Sequence, residues 1–311
     1  ESEAGSRAFG KAIYRAMIML KREYCMTTVA YHLIRPEQTR SSVVFASPHS
    51  GRDYHWSFLR RTVLNEHSIR TSEDAFVDKL YQAAPGFGAP LLLAGVPRAF
   101  IDLNRSADEL DPALIDGVRG LSHNPRIASG LGVVPRVVAG GRAIYRGKLD
   151  LEEVQARISR FWRPYHTTLQ RLLDEAHGQF GEAILVDCHS MPHEAMDGIA
   201  RSGARRPDVV LGDRFGASAA PWVVDQIEAA FEGTGLVVAR NAPFAGAYTA
   251  QHYGRPARNQ HVVQIEVDRA LYMNEQLIRP NGNFVSFQKI LTGVIARIVE
   301  IGARDQRLAA E

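Results

Sequence analysis

The sequence predicts an α/β protein: a single domain with a central mixed sheet flanked by helices. Two observations predict it. Short, nearly continuous apolar runs bounded by Gly, Pro and polar residues alternate with longer amphipathic stretches. Several of the apolar runs also carry His, Asp, Glu or Arg at or near their ends, and open α/β sheets collect their chemistry at the carboxyl ends of strands.

In chain order, the first 28 residues mix charge with a short apolar patch and lack a small-residue cleavage site, so they read as an N-terminal helix or arm ahead of a domain spanning 29–311. "SSVVFASPHSG" (41–51) is a buried strand ending in a turn. "TSEDAFVDKLYQAAP" (71–85) places Phe76, Val77, Leu80, Tyr81 and Ala84 at helical spacing, with Pro85 as the stop. "APLLLAGVPRAFIDLNR" (89–105) holds one or two strands, the second ending on Asp102, Asn104 and Arg105. Residues 106–147 are rich in Gly, Pro and polar residues and read as a long loop region. A long amphipathic helix covers 150–181, kinked at Pro164. "EAILVDCHSMP" (182–192) is a buried strand, 218–235 a helix closed by glycine, "LVVARN" and "HVVQIEVDR" strands, and 283–304 a closing helix.

Composition narrows the function. The chain has 311 residues, 45% hydrophobic and 23% charged, enough for a sizeable core. With 37 basic and 34 acidic residues, the net charge of +3 is too balanced to suggest a nucleic-acid or membrane-surface partner. No run approaches the about eighteen apolar residues of a membrane span. The two cysteines, Cys25 and Cys188, imply no disulfide framework and favour a reducing compartment, hence a cytoplasmic setting.

Each candidate residue has a plain structural reading beside a chemical one. His49 and His189 each follow an apolar strand on a polar turn. Either is a hydrogen-bonded turn histidine or a metal ligand, and the repetition favours ligation. Glu73 and Asp74 resemble a helix cap; either acid can also complete a two-histidine, one-carboxylate site. Glu266 alternates between Ile265 and Val267. It faces solvent, or it faces inward as a general base. Arg105 is a salt-bridge partner or a bidentate carboxylate clamp, with Asn104 beside it. Asp102 is placed to hold the second nitrogen of a ligand histidine. Cys188 is adjacent to His189, but neighbouring strand residues point to opposite faces, so it reads as core rather than as a thiol nucleophile.

With those residues laid out, the chain resembles the N-formylglutamate amidohydrolase family from about 41 to 275. The likeness rests on "SPHSGRDY", "SEDAFVDKLY", "PRAFIDLNR", "RPYHTTL", "LVDCHSMP", "DVVLGDRFG", "AGAYTAQHYGRP" and "VVQIEVDRALYMNE", in that order. The resemblance implies a zinc carboxypeptidase-like, aspartoacylase-like fold, one zinc ion per chain and a small N-acyl amino acid substrate, in the setting of histidine breakdown. It implies that His49, His189 and an acid hold the metal, favouring Asp74 over Glu73. Asp102 would then orient His49, Glu266 would be the general base, and Arg98 or Arg136 would stabilise the oxyanion. Asn104 and Arg105 would face the substrate, with Tyr248 and His252 on the pocket wall or as a proton donor. Two features depart from the expected pattern. The position soon after the first histidine offers only Asp53, and Ala247 stands where the family often has glycine. Competing readings are a hydrolase of another N-acyl amino acid or small amide, a non-catalytic binder of small acidic ligands, and a cysteine-dependent hydrolase.

Overall fold

The computed structural model describes residues 28–119, 124–197 and 205–303. The N-terminal helix or arm expected over 1–28 therefore lies, but for Thr28, outside the described residues. The central sheet has seven strands: β1 (Tyr31–Ile34), β2 (Val43–Ser47), β3 (Leu91–Ala94), β4 (Ala183–Met191), β5 (Val209–Gly212), β6 (Val238–Arg240) and β7 (Gln260–Asp268). Their order is β1-β3-β2-β4-β7-β5-β6. β3, β2, β4 and β7 run parallel to one another. β1 pairs antiparallel with β3, and β5 antiparallel with β7, so the sheet is mixed. β1 and β5 are strands the sequence pattern did not single out: four residues each are too few to establish a period.

The central strands β2, β4 and β7 are buried on both faces, which is why they read as apolar runs. On one face Phe45, Val186, Cys188 and Ile265 pack against the helices Pro221–Glu232 and Phe284–Ile301. On the other, Val44, Leu185 and Val262 pack against the helix Arg163–Phe180 and the loops around Ile101 and Val134. Cys188 is thus a core residue, a free thiol whose pKa burial pushes well up.

Three expectations differ from the structure. The segment from 71 to 85 forms only one α-helical turn, Val77–Leu80, because Phe76 before it sits at φ 68°, a left-handed conformation that no helix continues through. Residues 102–105 do not end a strand. β3 stops at Ala94, and the following chain is a loop whose Asp102 N–H bonds to Val133 O at 2.8 Å. The kink expected at Pro164 is instead a π-helical turn, Ile158–Trp162, just before it. Proline's missing N–H is absorbed there without breaking the helix.

Candidate active site

Period-two alternation builds the floor of the site. On the face where β4 carries Leu185 into the core, the next side chains along the strand are Asp187 and His189. On β7, Val262 is followed by Gln264 and Glu266. Register pairs Glu266 with His189 and Gln264 with Asp187, so apolar core gives way to chemistry at the same level on both strands. His49 lies two residues beyond β2, the neighbour of β4. Gly51 is required here, since a Cβ at that position would stand 2.1 Å from Val96 O.

His49, Asp74 and His189 offer ligand atoms that all lie within 4.8 Å of one another, and all three are buried. Asp74 Oδ2 is 2.9 Å from His189 Nδ1 and 3.4 Å from His49 Nδ1. Each imidazole turns its other nitrogen to a second carboxylate: His49 Nε2 is 2.6 Å from Asp102 Oδ1, and His189 Nε2 is 3.1 Å from Asp187 Oδ2. This is the outer-sphere pattern that fixes the tautomer of a metal-ligating histidine. Among the described residues His49 Nδ1 is buried with no hydrogen-bond partner, the signature of a nitrogen whose partner is an ion. Two imidazole nitrogens and one carboxylate beside an open cavity fit a divalent metal with a coordination position left for reactants.

The electrostatics agree. Burial by itself would raise Asp74, but the hydrogen bond from His189 and the adjacent His49 imidazole hold it well below the usual carboxylate range. Asp102 is likewise held low against burial, by His49 and Arg98. Arg269 fixes the other side of Asp74: its Nη2 donates to Asp74 Oδ1 at 3.1 Å while its Nε donates to Ser190 Oγ at 3.1 Å. One carboxylate oxygen is therefore committed to a guanidinium, and the other is left for the histidines and a metal.

Glu266, 8% exposed, accepts from Gln264 Nε2 at 2.8 Å, and Gln264 Oε1 in turn accepts from Ala247 N–H at 3.0 Å. Burial, aided by Asp74, pushes its pKa up to about 7, against the pull of His189, Arg98 and Arg269. A carboxyl so poised exchanges protons near neutrality.

The loop carrying residues 102–105 is held from behind by the long helix. His166 Nε2–H donates to Leu103 O at 2.9 Å, and Trp162 Nε1–H donates to Arg105 O at 2.9 Å. These two residues, one at the end of the π turn and the other four residues on in the α-helix, grip alternate carbonyls of the loop. Sequence reasoning missed both, as it missed Arg269 and the pairing of Asp187 with His189. Only the last had a sequence signal, since Asp187 sits two residues before His189 on the same strand face.

A cavity of about 650 Å³ opens over this floor. Its lining includes His49, Asp74, His189, Glu266, Arg98 and Arg105. Arg98 donates from Nε to Asp102 Oδ2 at 3.0 Å. Asn104 reaches the cavity with its amide already engaged: Nδ2 lies 3.2 Å from Asp187 Oδ2, and Oδ1 accepts from Thr249 N–H at 2.8 Å. Other sequence candidates stand elsewhere. Arg136 donates to Asp111 Oδ2 at 2.9 Å and to Ala128 O, and it is not among the lining residues. Glu73 is turned to Arg70, at 2.9 and 3.1 Å, rather than to the histidines. Asp53 is exposed. Tyr248 and His252 stack on each other, with Tyr248 against Trp162 and His166, and neither is among the residues lining the cavity.

Residues 41–273 match the family model described as N-formylglutamate amidohydrolase. The chain belongs to that family. Within the N-formylglutamate amidohydrolases, it is 32% identical over 245 residues to the N-formylglutamate deformylase of Pseudomonas putida, covering 76% of this chain and 84% of that protein. The deformylase of Pseudomonas aeruginosa is 33% identical over 223 residues, or 69% and 76% of the two chains. The crystal structure of N-formylglutamate amidohydrolase from Ralstonia eutropha superposes with a TM-score of 0.81 at 37% identity, covering 88% of this chain and 98% of that one. A structure from Agrobacterium tumefaciens shares the fold at 17% identity and a TM-score of 0.59, covering 88% of this chain and 96% of that one. Among the described residues, no helix is long and apolar enough to cross a membrane.

Proposed function

We propose that this chain hydrolyses the formyl amide of N-formyl-L-glutamate to formate and L-glutamate, with a zinc ion held by His49, Asp74 and His189. The observation that carries the reading is the juxtaposition of the buried His–Asp–His cluster with Glu266 on one wall of a cavity also lined by arginines. The names of the relatives supply the substrate.

A divalent ion bound at the cluster would acidify water and polarise the acyl carbonyl. The remaining work belongs to side chains. Glu266, oriented by Gln264, takes a proton from the attacking water and delivers it to the amide nitrogen as the C–N bond breaks. Arg98, fixed through Asp102, lies on the cavity wall as a cation for the developing oxyanion. Arg105 holds a substrate carboxylate. Its Nε and Nη1 are spent on Leu131 O and Asn104 O, both at 3.0 Å, so Nη2 is left for the ligand. Asp102, Asp187, Arg269 and Gln264 position the groups that act.

The deciding experiment follows formate release from N-formyl-L-glutamate by the purified protein, after chelation and after zinc is restored. Turnover that is lost with chelator and recovered with zinc supports the reading. Turnover indifferent to chelation, or lost on thiol alkylation alone, would sink it.

A further inference from the structure

Four arginines line the cavity: Arg98, Arg105, Arg126 and Arg269. Three have work within the protein. Arg98 is bonded to Asp102, Arg269 to Asp74 and Ser190, and Arg105 to two backbone carbonyls, with Glu109 Oε2 3.8 Å from its Nε. The Arg126 side chain makes no hydrogen bond or ion pair among the described residues; only its backbone is engaged, its N–H donating to Asn124 Oδ1 at 2.9 Å and its carbonyl accepting from Leu131 N–H. It is exposed, whereas Arg105 is buried.

The Arg105 guanidinium and the Arg126 backbone meet at one turn. Leu131 N–H closes that turn on Arg126 O at 2.8 Å, and Leu131 O holds Arg105 Nε at 3.0 Å. Arg105 is accordingly a crowded cation. Burial lowers its pKa, and the charges of Arg98 and Arg126 add to the lowering, while Asp102 and Glu109 oppose it. Adjacent like charges facing an open cavity, one with no internal counter-ion, are relieved by an anionic ligand that reaches both.

We propose that Arg126 is a specificity-determining residue that receives the second carboxylate of the substrate while Arg105 receives the first, so that the cavity selects dianionic acyl amino acids over monoanionic ones. The assignment of Arg105 to the first carboxylate rests on the function proposed above. An acidic ligand of this class has two carboxylates separated by a short flexible chain, and the cavity offers two guanidiniums in its lining, one held by Leu131 O and one without an internal partner. Loss of the outer, solvent-facing contact should weaken binding by about tenfold, the lower part of the range for hydrogen bonds to charged groups.

The test is calorimetric titration of the zinc-loaded protein with L-glutamate and with L-glutamine, which differ in one charge and little in shape. The comparison covers wild type, Arg126→Gln and Arg126→Lys. Wild type should prefer glutamate. Arg126→Gln should weaken glutamate about tenfold and glutamine less than about twofold, and Arg126→Lys should retain most of the preference. Undiminished glutamate affinity in Arg126→Gln, equal weakening of both ligands, or a wild type that does not distinguish them would each overturn the proposal. Hydrolysis is measured separately. If wild type prefers glutamate through Arg126 yet releases no formate from N-formyl-L-glutamate, the proposed reaction fails while the recognition stands.

Discussion

Asp74 Oδ2 stands 2.9 Å from Nδ1 of His189, a residue 115 positions away in the chain. The contact exists because the chain after Ile69 folds back under β2, where Asp74 N–H bonds to His49 O at 3.1 Å. It commits Asp74, and not its neighbour Glu73, to the imidazoles. Asp74→Ala should therefore abolish stoichiometric zinc in the purified protein, measured by elemental analysis. Glu73→Ala should keep the metal while loosening Arg70. Equal metal content in the two variants would refute the ligand assignment.

Glu266 is proposed to move protons rather than to bind metal. Glu266→Gln keeps its size and its neighbour Gln264, so zinc content should be unchanged. Turnover should fall by roughly two to four orders of magnitude, the usual share of general acid–base catalysis. Steady-state kinetics on zinc-matched samples is the check, and a decline of less than about tenfold would exclude the role.

Arg105→Ala removes the proposed carboxylate clamp without touching the cluster. KM for N-formyl-L-glutamate should rise by about ten- to a hundredfold, with kcat falling less, as expected for loss of a charged hydrogen bond made in both ground and transition states. A normal KM would reassign the clamp.

Arg269 touches the proposed metal cluster at Asp74. Arg269→Gln frees Asp74 Oδ1 and should weaken zinc binding by about ten- to a hundredfold, the usual cost of removing an outer-sphere partner. Competition with a chromogenic chelator reads this directly and does not depend on activity.

His166 makes a pH prediction. Burial lowers its pKa from 6.5 to about 3, so the folded protein keeps it neutral while the unfolded chain binds a proton below about pH 6.5. Its contribution to stability is complete above about pH 6.5 and is lost as pH falls toward 3, at about 1.4 kcal/mol per unit. Urea unfolding at pH 7.5 and at pH 5 should show a larger loss for wild type than for His166→Asn, by about 2 kcal/mol. Equal losses would mean that His166 is protonated in the fold.

Much of the architecture was legible in the residues. Strands β2, β4 and β7 announced themselves because strands buried on both faces must be apolar throughout. The polar residues Asp187, His189 and Glu266 stood out against that background because a buried charge needs a reason. The weakly patterned segments were misread. The helix expected over 71–85 failed at Phe76, whose left-handed backbone no propensity foretells. The strand expected to end at 102–105 is a loop held by side chains from another helix.

By itself, then, the sequence determined the class of fold, the family, and a set of chemically able side chains in which His49, Asp74, His189 and Glu266 already figured. Tertiary structure decided which of them meet. It set Asp74 over Glu73 at the histidines, put Arg98 on the cavity and Arg136 away from it, left Tyr248 and His252 off the cavity lining, and brought in Arg126, Arg269, Trp162 and His166 from distant segments. The physical reason is that strand alternation is a local rule, readable two residues at a time. Contact between a loop carboxylate and an imidazole depends on how separate elements pack, and spacing along the chain does not encode that distance.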